Sequence, residues 1–191
     1  MSNLAIHWTS LKKEKPCQVC QRSLARYDGR AYHLEFLNEV FRIDLEEENI
    51  RSSRREAPFE LSVVFLVYLL HAQERPFTNR WVSANELPHS GGFFRGIHSF
   101  PLQRIIEKYS GNPEEFIKRA KECGGETLRL YPYAVSFQPL PRIRLGFVYW
   151  PGGGEFPDQV NAIFDQSCGF QLPPDALWAL VRQVITVMTR G

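Results

Sequence analysis

Residues Pro58 to Gln73 read PFELSVVFLVYLLHAQ, with Leu61, Val64, Phe65, Tyr68 and Leu69 at helical spacing and Val63, Leu66, Val67 and Leu70 filling the other side. A helix that is apolar all round has to be buried all round. The segment 59–73 is therefore predicted to be the central helix, and the rest of the chain has to supply its cover. Its longest unbroken apolar run, Val63 to Leu70, is eight residues, against the roughly 20 needed to cross a bilayer. His71 at its end reads either as a ligand or as an imidazole interacting with the last helical carbonyls.

The cover can be read on both sides. Upstream, an amphipathic helix is expected from Asn3 to Lys15, with Leu4, Trp8 and Leu11 on one face. A second short helix opens at Pro16, which suits a first helical position. Tyr32, Leu34 and Phe36, then Val40, Phe41, Ile43 and Leu45, alternate as two strands of a hairpin turning at Leu37 to Glu39. The charged stretch Glu46 to Ala57 reads as an exposed loop. Downstream, Phe100 to Tyr109 and Pro113 to Cys123 form a helical hairpin, with Asn112 as N-cap and Gly124 as stop. Leu128 to Phe137 suggests a strand interrupted by Pro132, and Ile143 to Tyr149 alternates as another. Pro173-Pro174-Asp175 starts the last helix, whose Leu177, Leu180, Val181, Val184 and Met188 make an apolar stripe.

This order implies an α+β fold. A mostly antiparallel sheet packs against the central buried helix (59–73), a helical hairpin (100–123) and a C-terminal helix (174–190). With 191 residues, one domain is expected, made of a helical N-terminal appendage (1–30) carrying a CxxC and a core (31–191). A chain of this length buries roughly 70 % of its unfolded surface and needs no metal or disulfide to fold. Hydrophobic content of 43 % and a net charge of +2 are ordinary for a soluble protein and give no case for nucleic acid or an anionic membrane. The first fifteen residues hold no apolar h-region followed by a small-residue cleavage site, so no secretory signal is read. A cytoplasmic setting with reduced cysteines is the expectation.

Chemistry is concentrated in a few stretches. Pro151-Gly-Gly-Gly154 stops the strand ending at Trp150 and is followed by Glu155-Phe-Pro and the apolar run Val160 to Asp165. The glycine corner reads as a hairpin corner needing special dihedrals, or as a nest of backbone amides facing an anion. No GxGxxG or GxxxxGK[ST] is present. In Trp81-Val-Ser-Ala-Asn-Glu86-Leu-Pro, Ser83 and Glu86 have capping-box spacing, and Gly91-Gly92 presents Phe93 and Phe94. Should these stretches meet, Glu86, Glu155 and Asp165, with His89, His98 and Arg142, would make an acidic cleft. Trp81, Phe93, Phe94, Trp150 and Phe156 would wall it. Such a cleft could bind a cation or polar ligand, or supply a general acid and base, which makes a hydrolase or transferase using Glu155 or Asp165 one reading. Alternatively each acid ties down its own loop. The five histidines have no metal-ligand spacing.

Cys17 and Cys20 form a CxxC. In a reducing compartment such a pair binds metal, zinc or iron–sulfur here, cycles as a dithiol, or is simply structural. Cys123 fits the apolar stripe of its helix. No strand precedes the CxxC, as thioredoxin-like chemistry would need.

The W-x-S-x-x-E-L-P-x-x-G-G segment at Trp81 to Gly92 and the E-F-P…F-D segment at Glu155 to Asp165 resemble a prokaryotic domain family of unknown function. That family pairs a central apolar helix with these two segments, and the likeness covers roughly Tyr32 to Arg190. Some relatives are fused to cysteine-rich iron–sulfur segments, so the resemblance implies an anaerobic or metal-cofactor setting, and it implies no activity. The single CxxC falls short of a four-cysteine cluster motif. The reading is therefore a binding or accessory domain for a small molecule or a protein partner. Candidate ligand residues are Trp81, Glu86, His89, Phe94, Arg142, Trp150, Glu155 and Asp165, and Cys17 and Cys20 are the candidate metal or redox pair.

Overall fold

A computed structural model describes residues 4–153 and 156–190. Among them are six α-helices and nine strands, and the strands form two antiparallel sheets rather than one. None of the helices is long and apolar enough to cross a membrane.

Helices α1 (Leu4–Lys13) and α2 (Pro16–Ser23) come first. The first sheet is a meander of β1 (Arg26–Tyr27), β2 (Ala31–Phe36), β3 (Glu39–Asp44) and β4 (Asn49–Arg51). Its main hairpin has the expected turn: Phe36 pairs with Glu39, and Leu37 takes φ +55°. The stretch read as a loop contributes β4, because Ile50 finds a partner in Ile43 and is buried.

Helix α3 (Phe59–His71) follows. Phe65 packs on Phe36 and Phe41 of the first sheet, with ring centroids 6.3 and 5.2 Å apart. Helices α1 and α2 cover another side, and Trp8, Leu11 and Val19 join the same core as α3. The expectation of burial all round does not hold everywhere. Phe59 is 59 % exposed, and Val63, Leu70 and His71 are not buried either.

The second sheet has the order β5-β9-β8-β7-β6, from β5 (Trp81–Ser83), β9 (Gln159–Asp165), β8 (Ile143–Trp150), β7 (Ala134–Leu140) and β6 (Glu126–Thr127). Alternation decides its faces. Ile143, Leu145, Phe147 and Tyr149 of β8 are wholly buried, and Tyr149 on this face reaches α4 (Gln103–Tyr109) and α5 (Pro113–Glu122), while α6 (Pro174–Thr189) packs on α3 and α4. Phe116 and Tyr149 meet at 5.4 Å, and Phe100 and Phe164 at 5.7 Å. Asn112 caps α5 through Glu115 N at 3.2 Å, and Gly124 ends it with φ +85°. The helical hairpin and last helix fall within the predicted stretches, a few residues shorter.

Two polar fasteners tie these layers together. Tyr68 on α3 donates its hydroxyl to Ser23 O at 2.8 Å and accepts from Arg142 N at 3.0 Å. The Arg142 guanidinium then donates to the carbonyls of Arg22 (2.6 Å), Gln21 (3.2 Å) and Arg75 (3.2 Å). It thereby supplies partners to carbonyls at the end of α2, which otherwise lack intrahelical donors.

The second fastener is Asp165, which is 1 % exposed. It accepts from Thr78 N (3.1 Å), Thr78 Oγ1 (2.9 Å), Asn79 N (2.6 Å), Ser167 N (2.9 Å) and Ser167 Oγ (2.6 Å). Burial would raise its pKa, but this set of donors outweighs burial and the net shift is downward.

Two stability outcomes follow. Asp165→Ala strands several buried donors, so it should cost on the order of 3 kcal/mol, read as a lower melting temperature at neutral pH. A depressed carboxylate contributes stability above its ordinary 3.8 and loses it as pH falls through the folded value. The gap between wild type and Asp165→Ala should therefore narrow in melts below that pH, and a gap constant with pH would refute the assignment. Arg142→Lys keeps the charge but not the fork, and one ammonium on a flexible stem cannot reproduce the three-carbonyl geometry. It should be destabilised by about 1–3 kcal/mol, measured by denaturant unfolding; a wild-type midpoint would show the clamp to be dispensable.

Candidate functional site

The predicted acidic cleft does not assemble among the described residues. Its two segments do meet, since Trp81 pairs with Asp165 and Ser83 with Ile163. Trp150, however, pairs with Gln159 at the opposite end of the β8–β9 hairpin. It stands 41 % exposed beside Tyr131, 4.9 Å away.

Two of its three acids, Glu86 and Asp165, are accounted for locally. Glu86 turns back on its own turn and accepts from Ser83 N at 3.0 Å and Ser83 Oγ at 2.6 Å, and these bonds lower its pKa. Asp165 and Arg142 are occupied as fasteners. Glu155 lies outside the described residues. Phe94 is buried against Phe100 at 5.1 Å, and Trp81 lines a shallow polar pocket of about 320 Å³ with Arg144 and Gln138.

The glycine corner joins the β8–β9 hairpin, where Trp150 pairs with Gln159, but neither Gly152 nor Gly153 takes the positive φ expected of it, and Gly154 lies outside the described residues. Asp158 accepts from Gly152 N at 2.5 Å, Tyr149 Oη at 2.5 Å and Gly111 N at 3.1 Å. The Tyr149 bond leads the causes that bring its pKa down to about 2. The Gly152 amide thus faces the chain's own carboxylate, and a Cβ on Gly152 would sit 2.4 Å from Phe156 O. Asp158, which no motif distinguished, is the acid that organises this corner.

A different concavity is open. Between α3 and α6, next to α1 and the 93–98 loop, lies a cleft of about 520 Å³. Phe59, Val63, Val67 and His71 line it at four-residue steps along α3, which places them in one stripe. Helix α6 and its approach contribute Pro173, Asp175, Ala176, Trp178 and Ala179, while His7 comes from α1 and Phe93 and His98 from the loop.

The loop wall is held in place. His98 stacks on Phe93 at 4.2 Å and 18°, and lies edge-on to Trp178 at 6.2 Å. Trp178 donates its indole N–H to Ser99 O at 3.2 Å. Arg182 lies over the Trp178 ring at 4.6 Å and pairs with Glu60 at 3.0 Å, and Gln183 takes the other Glu60 oxygen at 3.0 Å. Glu60 is thereby neutralised at one end of the cleft.

The other end keeps its polarity. Burial and the neighbouring His71 lower the pKa of His7, and Asp175 opposes them in part. A neutral imidazole offers one donor and one acceptor. His89, at φ +63°, sits edge-on to Phe170 at 5.5 Å. It shares with His71 and Pro173 a smaller pocket of about 270 Å³ beside the cleft. The sequence reading weighed His71 alone and His98 as part of the acidic cleft, and connected neither to His7. Their convergence depends on three elements far apart in the chain. The signal available was the stripe Phe59-Val63-Val67-His71, whose ends are a half-exposed aromatic and a polar imidazole.

Cys17 is exposed and Cys20 half-buried. Among the described residues no group of three or more His, Cys, Asp or Glu is placed to hold a metal ion, so zinc or an iron–sulfur cluster at the pair would find only the two thiolates among them.

Neither a search of the curated proteins nor one of the solved structures finds a match. The family comparison does, over a span that begins just before Cys17, ends within α6 and takes in every cleft residue except His7. The match covers residues 15–187, and the chain belongs to the family described as domain of unknown function DUF3786.

Proposed function

We propose that this is a cytoplasmic, non-catalytic binding domain that holds a small amphipathic molecule in the α3–α6 cleft. The observation that carries the reading is the cleft itself. Its volume of about 520 Å³ falls within the range of small-molecule sites, and it has their composition, an apolar wall with a few convergent polar groups. Phe59, 59 % exposed at its mouth, is apolar surface that an occupant would cover.

The lining suggests the ligand's shape. An apolar or aromatic body fits against Val63, Val67, Phe93 and Trp178, and a hydrogen-bonding end fits against His7, His71 and Asp175. Binding is favoured over covalent catalysis because no Ser, Thr, Cys or Lys lines the cleft among the described residues, so no hydroxyl, thiol or amine nucleophile stands there beside the imidazoles. The four free thiols suit a reducing compartment.

The test uses anilinonaphthalene sulfonate, an apolar fluorophore with one anionic group. Wild type should bind it saturably at one site, with the fluorescence of Trp178 perturbed. Val63→Trp, which projects an indole into the cleft, should weaken binding about tenfold, or ~1.4 kcal/mol. Its melting curve serves as the control for fold. Equal binding by wild type and Val63→Trp, or none by either, would remove the cleft as the binding site.

A further inference from the structure

The function proposed above leaves Cys17 and Cys20 unused. They are the second and fifth residues of α2 (Pro16–Ser23), three residues apart, so they project from one helix face. Their environments differ. Cys17 is exposed, whereas Cys20 is half-buried and packs against the main core.

The two cysteines are held differently: Cys17 lies near the start of the helix, whereas the Cys20 carbonyl accepts the C-cap N–H of Leu24 at 2.8 Å. Lys15 at the N-cap makes no side-chain capping bond. At the other end the Arg142 clamp holds the carbonyls of Gln21 and Arg22, and the Arg22 guanidinium grips Leu69 O of α3 at 2.9 and 3.1 Å. Residues three apart in a helix have Cβ atoms roughly 5–6 Å apart, and a disulfide needs roughly 3.5–4.5 Å. Cys20 sits directly before the clamped carbonyls, so the movement that closes the gap falls to Cys17 at the end without a side-chain cap.

A second observation lies close by. Tyr32 is wholly buried and its hydroxyl has no hydrogen-bond partner among the described residues. Cys20 is near enough to contribute, after burial, to the upward shift of its pKa. An orphaned donor of this kind calls for an explanation, and a neighbouring sulfur that becomes a thiolate would accept its proton in a hydrogen bond.

We infer that Cys17 and Cys20 form a thiol–disulfide exchange site, in which Cys17 meets the partner disulfide and Cys20 resolves the mixed disulfide. The Cys17 thiolate attacks one sulfur of an incoming disulfide, the S–S bond breaks, and one thiolate leaves and takes up a proton. The Cys20 thiolate then attacks Cys17 Sγ, expelling the second thiol and closing the intramolecular bond. Two electrons pass to the incoming disulfide, and the two protons end on its released thiols. A dithiol reductant runs the sequence backwards. Burial and Cys17 both raise the pKa of Cys20, which suits a resolving thiol that stays protonated until Cys17 is engaged. The pair supplies two ligands where a structural zinc takes four, so exchange is favoured over metal.

The full chain is incubated with glutathione disulfide, quenched with an alkylating reagent and weighed intact. Wild type should lose two hydrogens and carry no glutathione, with one disulfide mapped to Cys17–Cys20. Cys20→Ser should stall with one glutathione on Cys17, and Cys17→Ser should react about tenfold more slowly. Buried Cys123 and Cys168 should stay unmodified and report that the fold is intact. A stable glutathione adduct on wild-type Cys17 would overturn the proposal. So would equal reactivity of the two single variants, or stoichiometric zinc or iron in the purified protein that is lost in Cys17→Ser.

Discussion

A helix with apolar residues on every side has no stable position at a surface, and α3 is such a helix. Its enclosure sets the positions of the other elements. The first sheet meets it through Phe36 and Phe41, α1 and α2 lie across another side, and α6 runs beside it. Four coverings around one cylinder leave a seam wherever two of them diverge. The seam here falls on the stripe Phe59, Val63, Val67 and His71. Its apolar character is thus inherited from a helix built to be buried, and its polar end from an imidazole at that helix's terminus.

The polar groups divide by how fully they are engaged. Asp165 has five donors around its carboxylate, Asp158 four with Ser110 and Glu86 two, all from neighbouring backbone and hydroxyl or phenol groups. Each has a depressed pKa. Perturbed ionisation often marks a reactive site, but a carboxylate stabilised by fixed donors is a poorer base than a free one and has few lone pairs left for a ligand. Depression by hydrogen bonding therefore identifies fasteners in this chain. His7 is shifted by burial and by a second imidazole instead, and it faces an open cleft.

Local pattern carried most of the fold. The period-two run in β8, the Ser83–Glu86 capping box, the Asn112–Pro113 start of α5 and the stripe of α6 each follow from neighbours within a few residues, and each forms where the pattern places it. Partition into two sheets was not legible, because β-pairing is decided between segments as distant as Trp81 and Asp165. The roles of single polar residues were the hardest to read. Arg142 looks like a ligand group in the sequence and is a clamp because α2, over a hundred residues away, ends beside it. Asp158 has no motif, yet Tyr149, Gly152 and Gly111 converge on it.

The cleft and the dithiol share α3 as their foundation but load it differently. α1 carries His7 toward the cleft, while α2 is bolted to α3 through Arg22 in its last turn, beside Cys20, and carries Cys17 in its first. Val19, wholly buried between the two sulfurs in sequence, keeps that turn on the core. The clamp on Gln21 and Arg22 begins at the residue after Cys20, so one short helix is both a piece of the core's cover, pinned at its end, and the carrier of the thiol pair.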